Sequence, residues 1–561
     1  MLEAKVVRKL IRKFCTAYTI NGGLDHHKSI LQVCQDIIDY LTGEADRPPY
    51  WSMLEFLKEC SWKEIRFYVS IIYSVLMGND RRKLLAAYFT PPHIAEYTVS
   101  KLIECGFDPV HDTVLDPASG GAAFISPVAR VMADACLQSG MNVQDTLFSV
   151  ERRLFGLEVD EGLARLCKRL LFFELLEELK AGGPINPSII VGDALRFSPP
   201  PGKFDLIIGN PPYGRTHLES IPESLAIVVV DKYVNRYAAF LKLAVDWVRL
   251  DGLVGLVIPT SFIGGPYYRK LRKFLTKSTE VLRIDLVDKR DDLFFDAIQD
   301  ICVLIMRKKD GGQPRCMGYK GPQVALLKTD GNRGSVREIG TADIPDLPCE
   351  DEWSVPHGNG ASLVAPASSV SLKDYGYLAK VGAFVWNREK EKLREGSEPM
   401  DGEYPLLWAS SVRPDGTFSL HGKSGPECLS FVAIAKASSS TIIRHSAVIV
   451  QRTSNKMQQR RLNAAVVPQW LVDRYDGFVC ENHVIVIYPE IDNPEVSPEE
   501  LSQIINSNCI DNLFRQVSGT VSVSVTILGR LPLPEPKALR NALKASKSFD
   551  EAIQRAFIND L

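Results

Sequence analysis

The chain has 561 residues, 45% of them hydrophobic and 24% charged, with a formal net charge of −2. That length exceeds one ordinary domain, the composition is that of a globular protein, and no apolar run reaches the roughly 20 residues of a membrane span. A net charge so near zero excludes nucleic-acid affinity built on overall basicity, so local clusters must carry any such contact.

The start, MLEAKVVRKLIRKFC, is basic and amphipathic without a continuous apolar core or a small-residue cleavage site, which places the expected location in the cytoplasm of a bacterial or archaeal cell. The 12 cysteines form no C-x-x-C pair, so no metal is expected. Residues 1–85 read as a helical region: Ala4–Tyr18, Lys28–Leu41 and Trp62–Met77 carry apolar residues at mixed three- and four-residue spacing. A cap packed on the next domain and a contact with protein or DNA are both open.

An α/β region is expected over 86–310. Thr90 reads as an N-cap and Pro91 as the first position of a helix ending near Cys105. Val114–Phe124 then reads as a buried strand, a turn Asp116-Pro117-Ala118-Ser119-Gly120-Gly121 and a helix start, with small residues that admit a ligand to the backbone. Asp116 would repel a phosphate and favour the cationic amino-acid end of S-adenosylmethionine. Neither a dinucleotide nor a P-loop glycine pattern is present. Two more strands end in acids: Leu154–Asp160 offers Glu158 to a ribose diol, and Ser188–Ala194 offers Asp193 to an adenine amino group. Any one of these acids could be a loop charge; three at successive strand ends point to a cofactor.

Phe204–Ile208 is a fourth apolar strand, stopped by Gly209-Asn210-Pro211-Pro212-Tyr213. An exocyclic amine on an aromatic ring is a poor nucleophile because its lone pair is delocalised. The Asn210 side-chain oxygen and the Pro211 carbonyl can hold its two N–H groups and aim that lone pair, Pro211 and Pro212 limit backbone motion, and Tyr213 can stack on a base that has left its helix. The alternative is a proline-rich turn closing a strand. Downstream, a helix over Tyr233–Arg249, a strand over Leu253–Pro259, a basic helical run containing Arg269, Lys270, Arg272, Lys273 and Lys277, and a strand over Ile301–Met306 lead to an expected linker at Lys308–Gly312. The basic run is either a solvated face or a phosphate contact, with Arg272 and Lys273 as the candidates.

The order Thr90-Pro91, Asp116–Gly120, Glu158, Asp193, Asn210–Tyr213 and Phe295, followed by a large C-terminal region, resembles the gamma class of DNA adenine-N6 methyltransferases, the TaqI-like modification methylases. The resemblance covers about residues 86–308. It implies S-adenosylmethionine as cofactor, with contacts at Thr90, Asp116, Ala118, Ser119, Gly120, Glu158 and Asp193. It implies target contacts at Asn210, Pro211, Pro212 and Tyr213, and packing of Phe295, with Phe294 as rival, against a flipped adenine. Ser119 and Ala122 depart from the family's loop, Asp-Pro-x-Cys-Gly-x-Gly.

Residues 311–561 change texture, with short β-like runs at Ala447–Gln451 and Val479–Tyr488, and are expected to form a C-terminal α+β target-recognition domain. Gln451–Arg461 carries Arg452, Lys456, Arg460 and Arg461 among amides, a set that can read guanine and adenine edges or form a solvated loop. The whole is expected to be a Rossmann-like methyltransferase with an N-terminal helical region, acting on double-stranded DNA in a restriction–modification system with a cognate endonuclease. The alternatives are an Asn-Pro-Pro-Tyr enzyme of protein glutamine or ribosomal RNA, and a catalytically silent DNA-binding subunit.

Overall fold

The computed structural model describes the chain except residues 1–3, 21–27, 44–50, 79, 83–88, 199–202, 227, 229–232, 289–299, 311–320, 331–332, 345–350, 357–367, 421–428, 435–439, 454–459, 519–521 and 559–561. It forms two compact units, Met1–Phe262 with Tyr267–Trp353, and Ile263–Pro266 with Ser354–Leu561.

In the first unit, helices α1 (Ala4–Ile20), α2 (Lys28–Leu41), α3 (Trp51–Lys58) and α4 (Trp62–Leu76) precede the sheet. α3 escapes the sequence reading because its 8 residues give about two turns of periodicity. α4 starts where Glu64 reaches back to accept from the Ser61 N–H at 2.8 Å, one arm of a capping box. α5 spans Pro92–Glu104, with Pro91 rather than Thr90 at the N-cap. The Thr90 hydroxyl is engaged elsewhere, as the site shows.

Nine strands form one sheet: β1 (Val114–Asp116), β2 (Leu154–Glu158), β3 (Ser188–Val191), β4 (Phe204–Gly209), β7 (Val248–Pro259), β8 (Thr279–Asp288), β9 (Ile301–Lys308), β10 (Gln323–Asp330) and β11 (Arg333–Thr341). The hairpin β5 (Arg215–His217) and β6 (Tyr233–Asn235) stands apart. The spatial order is β11-β10-β8-β9-β7-β4-β1-β2-β3. Pairs β3–β2, β2–β1, β1–β4 and β4–β7 are parallel, and β9 runs antiparallel between β7 and β8. Central strands buried on both faces need continuous apolar runs, which is how β4, β7 and β9 read. Helices α6 (Ile125–Gln138), α7 (Val143–Arg153), α8 (Glu161–Glu174), α9 (Arg236–Trp247) and α10 (Arg269–Ser278) flank the sheet. Gly255 in β7 leaves room for α5, since a Cβ there would stand 2.7 Å from the Leu102 side chain.

Three boundaries differ from the sequence reading. Tyr233–Asn235 pairs with β5 as a strand, so the helix expected from Tyr233 begins at Arg236. β8 was not expected. Lys308 closes β9 instead of opening a linker, and β10 pairs in parallel with β8, so the unit continues to Trp353.

A buried polar cluster fixes α5 to this far side of the sheet. Asp285 in β8 accepts from Arg283 at 2.9 and 3.1 Å, from the Tyr97 hydroxyl of α5 at 3.0 Å and from the Ala325 N–H of β10 at 2.9 Å. Arg283 also donates to Gln323 and to Glu338 of β11.

The second unit is α+β, as expected for the C-terminal region. Its sheets are ordered β12-β19-β16-β17 and β13-β15-β14-β18, with β12 at Tyr377–Val381, β13 at Leu393–Gly396, β14 at Glu403–Leu407, β15 at Leu429–Ala433, β16 at Ala447–Gln451, β17 at Ala464–Val467, β18 at Val479–Cys480 and β19 at Val484–Pro489. β16 alternates Val448 and Val450 into one core with Ile504 and Phe514, and Ala447 and Ile449 into another with Leu471 and Phe478. Among the described residues no helix is long and apolar enough to cross a membrane.

Asp285→Ala is expected to destabilise the first unit by about 1–3 kcal/mol, because it removes one buried partner of Arg283, which is 4% exposed, and leaves that guanidinium with Glu338 and Gln323. Urea denaturation checks it, and a loss below about 1 kcal/mol would mean that water reaches the guanidinium.

Candidate active site

β1 lies between β2 and β4, so the strand order reverses at β1 and β4. The C-terminal ends of strands diverge at such a switch and leave a crevice. Here the crevice is a cavity of about 380 Å³. Asp116, Ala118, Ser119 and Gly120 form one wall, Glu158 and Asp193 another, and Thr90, Asn210 and Pro212 a third.

Asp116 ends β1 and is 1% exposed, and its Oδ1 accepts from the Ala118 N–H at 3.0 Å, which folds the turn over the strand end. It lies against β4 because position 209 is glycine: a Cβ there would stand 2.6 Å from Asp116 Oδ1. Glu158 ends β2 and is also buried, with Oε2 accepting from Gly120 N–H and Oε1 from Asp160 N–H, both at 2.9 Å. A carboxylate has about four acceptor directions, so two remain for hydroxyl donors. Asp193 is more open; its Oδ1 accepts from the Leu195 N–H at 3.0 Å and starts a 3₁₀ turn at Ala194–Arg196. At the departure from the family's loop, Ala122 adopts φ +63°, a left-handed backbone that glycine would hold at lower cost. Ala122 is 0% exposed, so its methyl is accepted by packing.

Burial pushes the Asp116 carboxyl up to about 8, against the Ala118 hydrogen bond and with help from the Glu158 charge. Burial likewise pushes Glu158 up to about 7, against the bonds from Asp160 and Gly120. Two acids that hold their protons above the usual carboxylate range therefore face one cavity.

Asn210 follows β4 immediately, and its Nδ2 donates to Thr90 Oγ1 at 2.9 Å. That bond sets the orientation of the amide. Thr90 thus lies on the cavity wall as expected and has a second task there, holding the amide. No sequence signal exposes that pairing, since the two residues are 120 positions apart.

Pro211 and Tyr213 do not line the cavity. Tyr213 is 7% exposed, its hydroxyl donates to the Val257 carbonyl at 3.1 Å, and its ring meets Tyr237 edge-on at 6.5 Å. The expected stacking face is therefore packed inside the protein. Phe294 and Phe295 lie outside the described residues. The lining also includes Val159, Phe240 and Arg236, which sequence reasoning did not single out. Val159 carried a signal, an apolar residue directly after a strand-end acid, and it is 53% exposed.

The proposed DNA contacts separate by burial. Arg272 is corrected: it is 1% exposed, and its guanidinium donates to the carbonyls of Asp351 at 2.6 Å and Phe262 at 2.9 Å, so it is no phosphate contact. Lys273 is exposed, as are Arg269, Lys270 and Lys277. Arg452 donates to the Asn482 carbonyl at 2.9 Å, and Arg460 to the carbonyls of Asn506 and Pro414. Both are half-buried and act as braces of the second unit. Lys456 lies outside the described residues. Among the described residues no cluster of three or more His, Cys, Asp or Glu is arranged to hold a metal ion.

A family profile described as Eco57I restriction-modification methylase matches residues 152–294. The chain is 25% identical over 477 residues to the type II methyltransferase M.BsuBI of Bacillus subtilis, covering 80% of this chain and 87% of that one. It is 22% identical over 431 residues to the type II methyltransferase M.PstI of Providencia stuartii, covering 75% and 82%. Among solved structures, the type IIL restriction-modification enzyme MmeI in complex with DNA matches with a TM-score of 0.53 and 11% identity, covering 100% of this chain and 95% of that one, a likeness of fold.

The raised acids set a pH dependence. A carboxyl whose folded value lies above its unfolded one binds more protons when folded, so its contribution to stability is greatest at low pH and is lost as pH rises through the folded value. Unfolding free energy of the ligand-free protein is expected to fall between about pH 5 and about pH 8.5, and Asp116→Asn to flatten that fall. Urea titrations across that range check it; parallel curves for the two proteins would show that Asp116 is ionised throughout.

Proposed function

We infer from the motif order, the matched profile and the relatives that this chain belongs to the gamma-class DNA adenine-N6 methyltransferases of restriction–modification systems. On that premise it methylates an adenine turned out of duplex DNA, and S-adenosylmethionine supplies an electrophilic methyl group. The residues fit that cofactor. Buried Asp116 and Glu158 face the cavity with acceptor directions to spare, which suits a group bearing an ammonium and a ribose diol. Asp193 at the open side suits the adenine amino group.

The observation that carries this reading is the Asn210–Thr90 hydrogen bond at the cavity wall. An amide whose nitrogen is held by Thr90 presents its oxygen as an acceptor of fixed direction. That oxygen draws an N–H group of the target amine and turns the lone pair toward the methyl group. Pro212 lines the wall and stiffens the turn. Tyr213 supports the loop from behind through Val257. No covalent intermediate on the protein is needed, and the methylated amine is acidic enough to lose its proton to water.

α10 supplies the phosphate contact. Its Leu271, Arg272 and Leu275 are buried while Arg269, Lys270, Lys273 and Lys277 face solvent, giving sequence-independent affinity. The second unit serves as the target-recognition domain, and a separately encoded restriction endonuclease of the same site is the partner. The place of action is the cytoplasm.

The direct test is transfer of tritium from labelled S-adenosylmethionine to duplex DNA, with the product identified as N6-methyladenine; label on protein or ribosomal RNA instead would replace the substrate. Asn210→Ala should lower the transfer rate more than about tenfold, since about 1.4 kcal/mol is the least one useful transition-state hydrogen bond supplies. Thr90→Val should lower it in the same direction and Thr90→Ser restore it; a fully active valine variant would show that the amide needs no holding. Replacing Lys270 and Lys273 by alanine should weaken specific and scrambled duplexes about equally and reduce the salt slope by roughly one to two units. Binding curves at several salt concentrations decide this, and a loss confined to the preferred duplex would make α10 a base reader.

A further inference from the structure

The N-terminal helices do more than cover the sheet. Tyr73 of α4 is 0% exposed, and its hydroxyl donates to Asp160 Oδ1 at 2.8 Å. Arg81 donates to the other oxygen, Oδ2, at 2.7 Å. Asp160 Oδ1 also accepts from the Leu163 N–H at 2.9 Å and caps α8. The Asp160 side chain is therefore fixed in place, and its own backbone N–H donates to Glu158 Oε1 at 2.9 Å.

The same helix touches the other half of the cradle. A Cβ on Gly121 would stand 1.9 Å from Ser70 Oγ, and one on Gly162 would stand 2.0 Å from the Tyr73 hydroxyl. Ser70 donates to the Gly121 carbonyl at 3.3 Å. Arg66 of α4 pairs with Glu174 of α8 at 2.7 Å, which holds the two helices together. α4 thus lies against the outer side of the two turns, after β1 and after β2, whose inner sides line the cavity through Gly120, Glu158 and Val159. Burial pushes the Tyr73 hydroxyl well up, so it remains a proton donor at any working pH.

We propose that Tyr73 and Arg81 are positioning residues for the cofactor: they fix Asp160, and Asp160 fixes the Glu158 carboxylate that receives the ribose. This rests on the reading of Glu158 given under Proposed function. Two acceptor directions of Glu158 are spent on backbone N–H groups, so the other two point correctly only while the Asp160 backbone stays in register. The N-terminal helices are then part of the cofactor site, and anything that displaced α4 would weaken cofactor binding without touching the target amide.

The test is calorimetry of the full chain with S-adenosylhomocysteine and with its 2′,3′-dideoxy counterpart. Tyr73→Phe and Arg81→Met should each raise the dissociation constant for S-adenosylhomocysteine about three- to tenfold, the range of one ordinary hydrogen bond. Both should change that for the dideoxy ligand less than about twofold. An equal loss for both ligands would make the contact mere support of the turn, and no loss for either would make it irrelevant to binding; each result overturns the proposal. Glu158→Gln is measured alongside. If it fails to distinguish the two ligands, the ribose role of Glu158 falls and the relay with it, whereas a distinguishing Glu158→Gln beside silent Tyr73→Phe and Arg81→Met removes the relay alone.

Discussion

The architecture of the site depends on a missing side chain. Gly209 ends β4 beside the end of β1, and only a hydrogen at that position lets the Asp116 carboxylate lie against the neighbouring strand. The residue after it is Asn210. One close approach between two strands therefore puts the acid read as a cofactor contact and the amide read as a target contact on walls of the same cavity. In-line transfer needs two reactants held within about 3–3.5 Å, so a scaffold that separated these strand ends would lose the entropic part of catalysis before any functional group was altered.

The same closeness has a cost in stability. Asp116 and Glu158 are withdrawn from water, and they accept hydrogen bonds from the backbone N–H groups of Ala118, Gly120 and Asp160. Buried acids in that state keep their protons longer, and the protein is less stable where they ionise. A cationic ligand reverses that balance, because it supplies a counter-charge. The Asp285–Arg283 cluster on the other side of the sheet shows the contrast: there the buried acid has its guanidinium and a tyrosine hydroxyl, and the group serves structure. Buried acids held by backbone N–H groups at a cavity and a buried acid paired with a guanidinium in a core are thus different devices made of the same side chains.

Much of this was legible in the sequence because it is local. Apolar runs leading to Asp116, Glu158, Asp193 and Asn210 mark both the strands and the polar residues after them; β1, β2 and β4 are interior strands, and β3 is at the edge with Ile190 and Val191 exposed. The elements missed were those decided by pairing at a distance. Tyr233–Asn235 became a strand because β5 was there to pair with it, and β8, β10 and β11 hydrogen-bond one another across stretches that carry no single-strand signature. Thr90 was placed at the cavity from its motif, but its bond to Asn210 could not be read from any spacing. Tyr213 was read as a stacking face for a base that has left its helix; its hydroxyl found the Val257 carbonyl instead, a partner 44 positions away.

Charge was the least reliable guide, and the helical period explains why. In α10, Arg269, Lys270, Lys273 and Lys277 share the exposed face, whereas Leu271, Arg272, Leu275 and Thr276 form the stripe that faces inward. Arg272 belongs to that stripe, and a planar fork of donors lets it bridge two backbone carbonyls that an ammonium would meet only one at a time. Arg452 and Arg460 are used in the same way, as donors to carbonyls of the second unit. A run of mixed Arg and Lys therefore divides by position on the helix. The arginines at inward positions brace the chain, and the exposed lysines of α10 carry a compact, hydrated charge. On the proposed function, attraction of that kind would follow the phosphate backbone, weaken steeply with salt and favour every duplex alike.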